Sequence, residues 1–422
     1  MLPVRRLLLI AYHFPPIRGS SGVQRTLQFA RHLPAHGWEP LVVSVHPRAY
    51  PAVGDDLMAA VPHGMPVARA FAMDSARHLA VRGRYLGCTA FPDRWVTWWP
   101  GGVAACLRLI RRYRPQAVWS TFPVATAHLI GLTVRRLTGL PWIAEFRDPM
   151  VQAVHRLGPA ADTVWRRFEG AVVRRASRCV FATPGMRHDY AARYPGHDAA
   201  SWTVIENGYD EGVFAEAERS GGAAASRLDG VVRLVHSGIL YGEGRDPLPF
   251  FRALKEVAAT RPERLEVVLR ASGDAETHER LAADLGLSQI VNVAPAVGYG
   301  EAIREMLAAD GLLVFQGAVF NKQIPAKVYE YLRAGRPILA LTDPAGETAR
   351  LLRGWDGVYF AREDSVPQIA HALGGLLDAV AAGRVPARPV EAVRRLSREA
   401  RTAELAAVLD AAVGRPMDHR RG

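Results

Sequence analysis

A chain of 422 residues is too long for a single hydrophobic core, so two or three domains are expected. Apolar residues make up 49% and charged residues 22%, which excludes a disordered chain, and no apolar run reaches the ~20 residues that cross a bilayer. The three cysteines, Cys88, Cys106 and Cys179, are odd in number and far apart. This pattern argues against a disulfide framework and predicts a cytoplasmic protein.

The net charge of +12 is unevenly distributed. Residues 1–212 hold 26 arginines against 14 acidic residues, whereas residues 213–422 hold 27 basic and 27 acidic residues. A general preference for arginine does not explain this imbalance. The basic half predicts an anionic partner, such as a pyrophosphate-linked acceptor or the inner face of the cell membrane. Nucleic acid is not expected, because no binding motif for it accompanies the charge.

Strand-like and helix-like segments alternate along the first half, as in parallel sheets covered by helices. The predicted strands are 7–12, 41–46, 117–121, 142–146, 179–183 and 203–205, and the predicted helices include 23–33, 103–113, 125–137 and 163–176.

Residues 215–230 are rich in Ala, Gly, Ser and Glu and lack periodicity, which is typical of a linker. Alternation then resumes with predicted strands at 231–236, 265–271, 290–293, 312–315 and 337–341. The sequence therefore predicts an α/β protein with two Rossmann-like domains, 1–212 and 231–389, joined by a linker at 213–230. A final helix near 390–413 has no strand after it, and we expect it to pack back on the first domain.

Three segments carry candidate chemistry. Gly22 and its neighbouring serines follow the first strand and open a helix, where backbone N–H groups can bind an anion, although an ordinary helix cap fits equally well. Asn207-Gly208-Tyr209-Asp210 is a turn signal. Lys327 and Glu330 share one face of a predicted helix that ends at Gly335, and they suit a pyrophosphate and a ribose, or else form a solvated surface pair.

In this order, the three segments resemble the GT-B glycosyltransferases, and specifically the retaining enzymes of family 4. The resemblance covers nearly the whole chain. It implies that the two domains face each other across a cleft, that the first binds a glycan or lipid-linked oligosaccharide acceptor, and that the second binds a nucleotide-sugar donor. It also implies transfer of a hexose-type sugar with retention, in a subset of the family that assembles cell-surface or exopolysaccharide.

The same resemblance implies roles for individual residues. The donor-binding set is Ser21, Gly22, Arg25, Gly238, Arg245, Lys327 and Glu330, and the catalytic set is His13, Arg147 and Asp148. Neither a metal nor a cofactor is expected, because cations and helix N-termini can stabilise the leaving pyrophosphate. Arg147 and Asp148 could equally form a structural pair.

Two departures from the family pattern concern the donor sugar: Lys322 stands where a glutamate is common, and Ile239 where an arginine is usual. Two alternatives therefore stay open, a nucleotide-sugar 2-epimerase of the same fold and a non-catalytic nucleotide- or glycan-binding protein. The aromatic segment Phe91–Trp99 favours burial, although tryptophan also suits sugar rings and membrane interfaces.

Overall fold

The computed structural model describes residues 4–19, 22–82, 84–85, 87–151, 159–221 and 230–414. The chain divides into two compact units. The first unit comprises Met1–Glu206 and Arg398–Gly422, and the second comprises Asn207–Ser397.

The first unit is built on a seven-stranded sheet in the order β3-β2-β1-β4-β5-β6-β7, with every neighbouring pair parallel. Its strands are β1 (Arg5–Ile10), β2 (Trp38–Val45), β3 (Val67–Ala70), β4 (Ala117–Phe122), β5 (Trp142–Phe146), β6 (Arg178–Phe181) and β7 (Trp202–Val204). The helices between them are α1 (Gly22–His32), α2 (Ser75–His78), α3 (Trp98–Tyr113), α4 (Ala125–Thr138), α5 (Pro159–Arg175) and α6 (Pro184–Arg193). Every residue of the central strand β4 is buried, as expected for a sheet covered on both faces.

The second unit begins with α7 (Glu211–Arg219) and continues with a six-stranded parallel sheet in the order β10-β9-β8-β11-β12-β13. Its strands are β8 (Val231–Ser237), β9 (Arg264–Arg270), β10 (Val291–Ala294), β11 (Gly311–Gln316), β12 (Ile338–Thr342) and β13 (Val358–Ala361). Its further helices are α8 (Leu248–Ala258), α9 (Ala275–Asp284), α10 (Tyr299–Ala308), α11 (Ala326–Ala334), α12 (Glu347–Leu352), α13 (Val366–Ala381) and α14 (Val390–Arg394). The predicted class, two Rossmann-like α/β domains, is confirmed.

The last helix, α15 (Arg398–Val413), belongs to the first unit. Asp410 accepts hydrogen bonds from Arg5 Nη1 at 2.6 Å and from Trp38 Nε1 at 2.9 Å, which fix α15 beside β1 and β2. The predicted 390–413 segment is thus two helices, and α14 lies in the second unit.

The predicted linker differs from the structure. Residues 213–219 lie in α7, where Asp210 caps the helix by accepting from the backbone N–H groups of Gly212 and Val213. Tyr209 and Phe214 are buried in the core of the second unit, so 207–212 also belong there rather than to the first domain. The segment without hydrophobic periodicity that predicted a linker thus begins in a short helix rich in Ala and Glu. Residues 222–229 of the predicted linker lie outside the described residues.

Candidate functional site

The second unit gathers its candidate residues where β8 and β11 lie side by side. From this point the sheet continues to β9 and β10 on one side and to β12 and β13 on the other. In open α/β sheets, ligands bind beyond the carboxyl ends of the strands at such a switch point. Gly238 and Arg245 follow β8, and Lys327 follows β11, so the fold brings these three predicted residues to one edge of the sheet.

Lys327 is the second residue of α11, and its Nζ lies 3.2 Å from Nε2 of His236. His236 is completely buried at the end of β8, and its Nδ1 lies 2.8 Å from the carbonyl oxygen of Leu313. Gly238 has a φ of +116°, and a Cβ built there would lie 2.7 Å from Lys327 Nζ. The left-handed backbone favours glycine at 238, and a larger residue there would displace the ammonium group of Lys327.

The surroundings of Lys327 disfavour its positive charge. Burial, and then the cation of Arg245, lower the pKa of Lys327 to about 7, against a partial opposing effect of Glu330. Burial and the Lys327 ammonium also hold the pKa of His236 well below its usual value, so the imidazole is neutral. Two cations thus lie beside a neutral ring, an arrangement that an incoming anion would stabilise.

Arg245 is held in place by aromatic rings and an amide. Its guanidinium lies 5.0 Å from the ring centre of Tyr241 and 4.8 Å from that of Phe320. Its Nη2 donates to Gln316 Oε1 at 2.9 Å. These contacts orient a group that could otherwise adopt many rotamers, which lowers the entropy cost of binding a phosphate.

Glu330 is 6% exposed and accepts a hydrogen bond from the hydroxyl of Tyr299 at 2.8 Å. A solvated surface pair of Lys327 and Glu330 is therefore excluded. The carboxylate lies one helical turn beyond Lys327, on the same face of α11.

The first unit has an equivalent edge where β1 meets β4, its switch point. Arg147, which follows β5, donates from Nη1 to the carbonyl oxygen of Gly22 at 2.8 Å and from Nε to that of Phe122 at 2.7 Å. Its Nη2 donates to His13 Nδ1 at 3.3 Å. Arg147 thus links the start of α1 to the ends of β1 and β4, which is a positioning role.

His13 and Gly22 form the surface that Arg147 supports. A Cβ on Gly22 would lie 2.9 Å from Arg147 Nη1 and 3.1 Å from His13 Nδ1, so no larger residue fits without a shift. Burial and the Arg147 cation lower the pKa of His13 to about 3. Because Nδ1 accepts from Arg147, the neutral ring carries its proton on Nε2 and acts there as a hydrogen-bond donor rather than as a base.

The structure directs the side chain of Arg25, a predicted donor-binding residue, into the interior of the first unit. Arg25 is 6% exposed and pairs with the completely buried Glu145 at 2.8 Å. It also donates to the carbonyl oxygens of Ile205 and Glu206, both at 2.7 Å. Its side chain is directed into the sheet, where a buried carboxylate neutralises it. Ser21 lies outside the described residues.

Asp148 lines a cavity of about 330 Å³ in the first unit, together with Trp165 and Asp162. Sequence reasoning missed Trp165, His236, Tyr299 and Gln316 as members of these sites. Of the four, His236 was the easiest to find from the sequence, since it directly precedes the Ser237-Gly238 turn. Tyr299 carries no sequence signal, because it is 31 residues away from the Glu330 it contacts.

Within the described part of the chain, no three His, Cys, Asp or Glu residues are grouped closely enough to hold a metal ion. No described helix is both long enough and apolar enough to span a membrane.

Residues 21–208 match the family model for the glycosyl transferase 4-like domain. The match takes in the helices and strands of the first unit from α1 to β7, so this part of the chain is similar to glycosyl transferase 4-like domains. No curated protein matches it in sequence.

Solved structures share the fold over nearly the whole length of the chain. Sucrose-phosphate synthase from Thermosynechococcus elongatus aligns with a TM-score of 0.68 at 14% identity, covering 96% of this chain and 98% of that one. HepE from Anabaena, solved with UDP and glucose, aligns at 0.67 and 14% identity, covering 97% and 100%. A protein assigned as a UDP-N-acetylglucosamine 2-epimerase from Listeria monocytogenes aligns at 0.58 and 13% identity, covering 96% of both chains. At such identities these likenesses show the fold alone.

Proposed function

We propose that this protein is a glycosyltransferase that moves a hexose-type sugar from a nucleotide-sugar donor to a glycan or lipid-linked oligosaccharide, with retention at the anomeric carbon. The observation that carries the proposal is the pair of cations, Lys327 and Arg245, at the switch point of the second unit, with Lys327 Nζ 2.7 Å from where a side chain on Gly238 would begin. The likeness to HepE, which was solved with UDP and with UDP-glucose, supports a uridine nucleotide sugar as the first donor to test.

In this proposal the second unit binds the donor. Lys327 and Arg245 bind the pyrophosphate, the tight approach at Gly238 lets the phosphates reach the backbone, and Glu330 accepts from the ribose hydroxyls. Binding the phosphates brings negative charge to two cations that now repel each other, so the electrostatic gain is large in this half-buried setting. The same cations stabilise the nucleoside diphosphate as it leaves.

The reaction breaks the bond between the anomeric carbon and the donor's phosphate oxygen and forms a bond to the acceptor oxygen. In a retaining front-face reaction, the acceptor's hydroxyl proton passes to the departing phosphate oxygen, which yields a glycoside and a nucleoside diphosphate. No protein nucleophile is needed. Neither a metal ion nor a cofactor is part of the proposal, because Lys327 and Arg245 supply the positive charge.

The first unit binds the acceptor in this proposal. His13 donates from Nε2 to the reacting groups, Gly22 contributes the N-terminal end of α1, and Arg147 positions both. Asp148 faces the acceptor through the cavity that it lines.

The charges of the two units support an anionic membrane surface as a further partner of the first unit. The first unit holds 31 basic and 16 acidic residues and the second 22 and 25, giving net charges of +15 and −3. Arg108, Arg111, Arg112 and Arg114 are exposed on and just after α3. We expect a cytoplasmic protein that binds the inner face of the cell membrane reversibly. Sedimentation with anionic vesicles should show salt-sensitive binding that Arg108→Glu/Arg111→Glu weakens and Arg280→Glu, in the second unit, does not. Equal binding to neutral vesicles would contradict this.

The activity is tested with a panel of nucleotide sugars, each incubated with and without oligosaccharide acceptors, followed by product analysis. A glycosyltransferase releases nucleoside diphosphate and forms a glycoside with the anomeric configuration of the donor. A 2-epimerase would convert the donor without an acceptor, and a binding protein would shift the melting temperature with no product. Inversion of configuration would reject retention while leaving transfer intact.

A further inference from the structure

The cavity of about 330 Å³ that Asp148 lines in the first unit is large enough to admit only part of an acceptor. It lies at the carboxyl ends of β4 and β5, beside the first turn of α5, and its volume is at the lower end of the range for small-molecule sites. Its lining combines apolar, aromatic and acidic groups, namely Pro92, Asp93, Phe122, Pro123, Asp148, Pro149, Met150, Val151, Asp162 and Trp165.

On one wall of the cavity, the carboxylate of Asp93 is occupied by hydrogen bonds from within the protein. Asp93 accepts from the backbone N–H and the hydroxyl of Thr126 at 2.7 and 2.8 Å, and from the backbone N–H of Trp95 at 2.9 Å. The Asp93 carboxylate is thus committed to the start of α4. Phe122 and Met150 are 7% and 6% exposed and give the wall an apolar surface.

Trp165 is a fixed aromatic platform at the cavity. It is partly exposed, and its ring meets Phe91 and Phe168 edge to face, with centroids 5.8 and 6.3 Å apart. These contacts hold the indole in one orientation without enclosing it. A rigid, partly exposed indole offers a flat apolar face, and the carbon-bound hydrogens on one side of a sugar ring are suited to pack on it.

Asp148 and Asp162 are partly exposed carboxylates on the same cavity. Ionised carboxylates accept hydrogen bonds from hydroxyl groups and repel phosphates. The cavity is therefore a locally acidic place in a unit whose net charge is +15, and it disfavours the anionic part of a lipid-linked acceptor.

We propose that this cavity binds one neutral sugar ring of the acceptor, stacked on Trp165, with its hydroxyl groups donating to Asp148 and Asp162. The inference rests on the proposed function and adds to it the class of the group received: an uncharged sugar at the end of the acceptor rather than a phosphorylated one. The basic surface of the unit is left to the acceptor's anionic parts.

Saturation-transfer NMR on the full chain tests the site without donor or turnover. The probes are the methyl glycosides of glucose, galactose, mannose and N-acetylglucosamine, with glucose 1-phosphate and glucosamine as charged counterparts. We expect at least one neutral glycoside to bind. Trp165→Ala should abolish that binding and Asp162→Ala should weaken it about tenfold. The matched control is Trp99→Phe, since Trp99 is 39% exposed and outside the cavity; it should bind like the parent.

Several results would overturn the proposal: no binding of any neutral glycoside, unchanged binding by both Trp165→Ala and Asp162→Ala, or binding of the phosphate or the amine alone. UDP-glucose affinity should be the same in all variants, which separates the cavity from the donor site. If glycosides bind through Trp165 but no transfer is found with any donor, the proposed function fails and the cavity stands. If transfer is found and Trp165→Ala leaves the acceptor KM unchanged, the cavity proposal fails and the function stands.

Discussion

Two helix starts, one in each unit, carry a basic residue with a half-buried or buried side chain, and they use it in opposite ways. Arg25 in α1 lies against the buried carboxylate of Glu145 and donates to two carbonyl oxygens, so its charge is neutralised inside the protein. Lys327 in α11 lies against neutral His236 and near a second cation, Arg245. A buried cation with its own carboxylate stabilises the fold, whereas cations that repel each other at the edge of a sheet favour binding an external anion.

The largest expected effect is on stability, at Arg25. Arg25→Ala leaves Glu145 buried without its cation, and should lower the free energy of unfolding of the first unit by about 3–5 kcal/mol. Urea unfolding followed by circular dichroism measures this. Arg25→Met combined with Glu145→Gln removes both charges and should cost less than Arg25→Ala alone. If Arg25→Ala unfolds like the parent but binds UDP-glucose more weakly, Arg25 is a donor ligand after all and the contrast fails.

At Glu330 we expect a loss of affinity rather than of stability. If Glu330 accepts from the donor's ribose as proposed, Glu330→Gln should cost about 1.5–3 kcal/mol of binding, or roughly 10- to 150-fold in the Kd for UDP-glucose. Tyr299→Phe removes the hydroxyl that donates to Glu330 and should give a smaller loss in the same direction. Isothermal titration calorimetry of both variants would contradict the ribose role if the Kd stayed within twofold of the parent value.

The pH dependence of binding is a further test of the same site. The pKa of Lys327 is about 7, so its ammonium form declines above pH 7, and the affinity for UDP-glucose should fall by about tenfold per pH unit until it reaches the level of Lys327→Met. Lys327→Arg stays charged and should bind with no such decline. An equal slope in the parent and in Lys327→Arg would assign the titration to another group.

The free energy of unfolding of the unliganded protein should rise with pH, whereas the affinity for UDP-glucose should fall. The unfolded chain keeps Lys327 protonated up to about pH 10.5, while the folded chain releases the proton near pH 7, so the unfolded state binds more protons between these values. Relative to Lys327→Met, the parent should therefore gain stability as the pH rises from 7 toward 10.

The smallest expected effect concerns the ion pairs that join α7 to α11 within the second unit. Arg333 pairs with Glu211 at 2.7 Å and with Glu218 at 2.8 Å, and both carboxylates are partly exposed. Arg333→Gln should cost about 1 kcal/mol or less in unfolding free energy. The matched change in a more exposed pair, Arg280→Gln, should cost still less. A loss of several kcal/mol at Arg333 would mean that α7 contributes more to the second unit than these contacts indicate.

Most strands of both sheets could be predicted from the sequence because buried parallel strands are continuous apolar runs, such as Leu7–Ile10. The strands β3 and β13 were missed, since Val67–Ala70 and Val358–Ala361 are short and lie at sheet edges with partly exposed residues. The family motif located Lys327 and Glu330, but the partners that decide their electrostatics, His236 and Tyr299, come from distant strands and helices. Arg25 illustrates the same limit. Because Arg25 follows a Gly-containing loop, the sequence predicts that it binds a phosphate. Only the fold shows that Glu145, 120 residues later in the chain, lies against Arg25.

The central claim is that the cations at the switch point of the second unit bind the donor's phosphates. Calorimetric titration of UDP-glucose into the parent chain and Lys327→Met at pH 6.5, where Lys327 is mostly protonated, tests it most directly. We predict that Lys327→Met weakens binding by roughly 10- to 150-fold while its unliganded stability equals or exceeds that of the parent. A variant that binds UDP-glucose like the parent would contradict the donor site, and with it the residue-level basis of the proposed function.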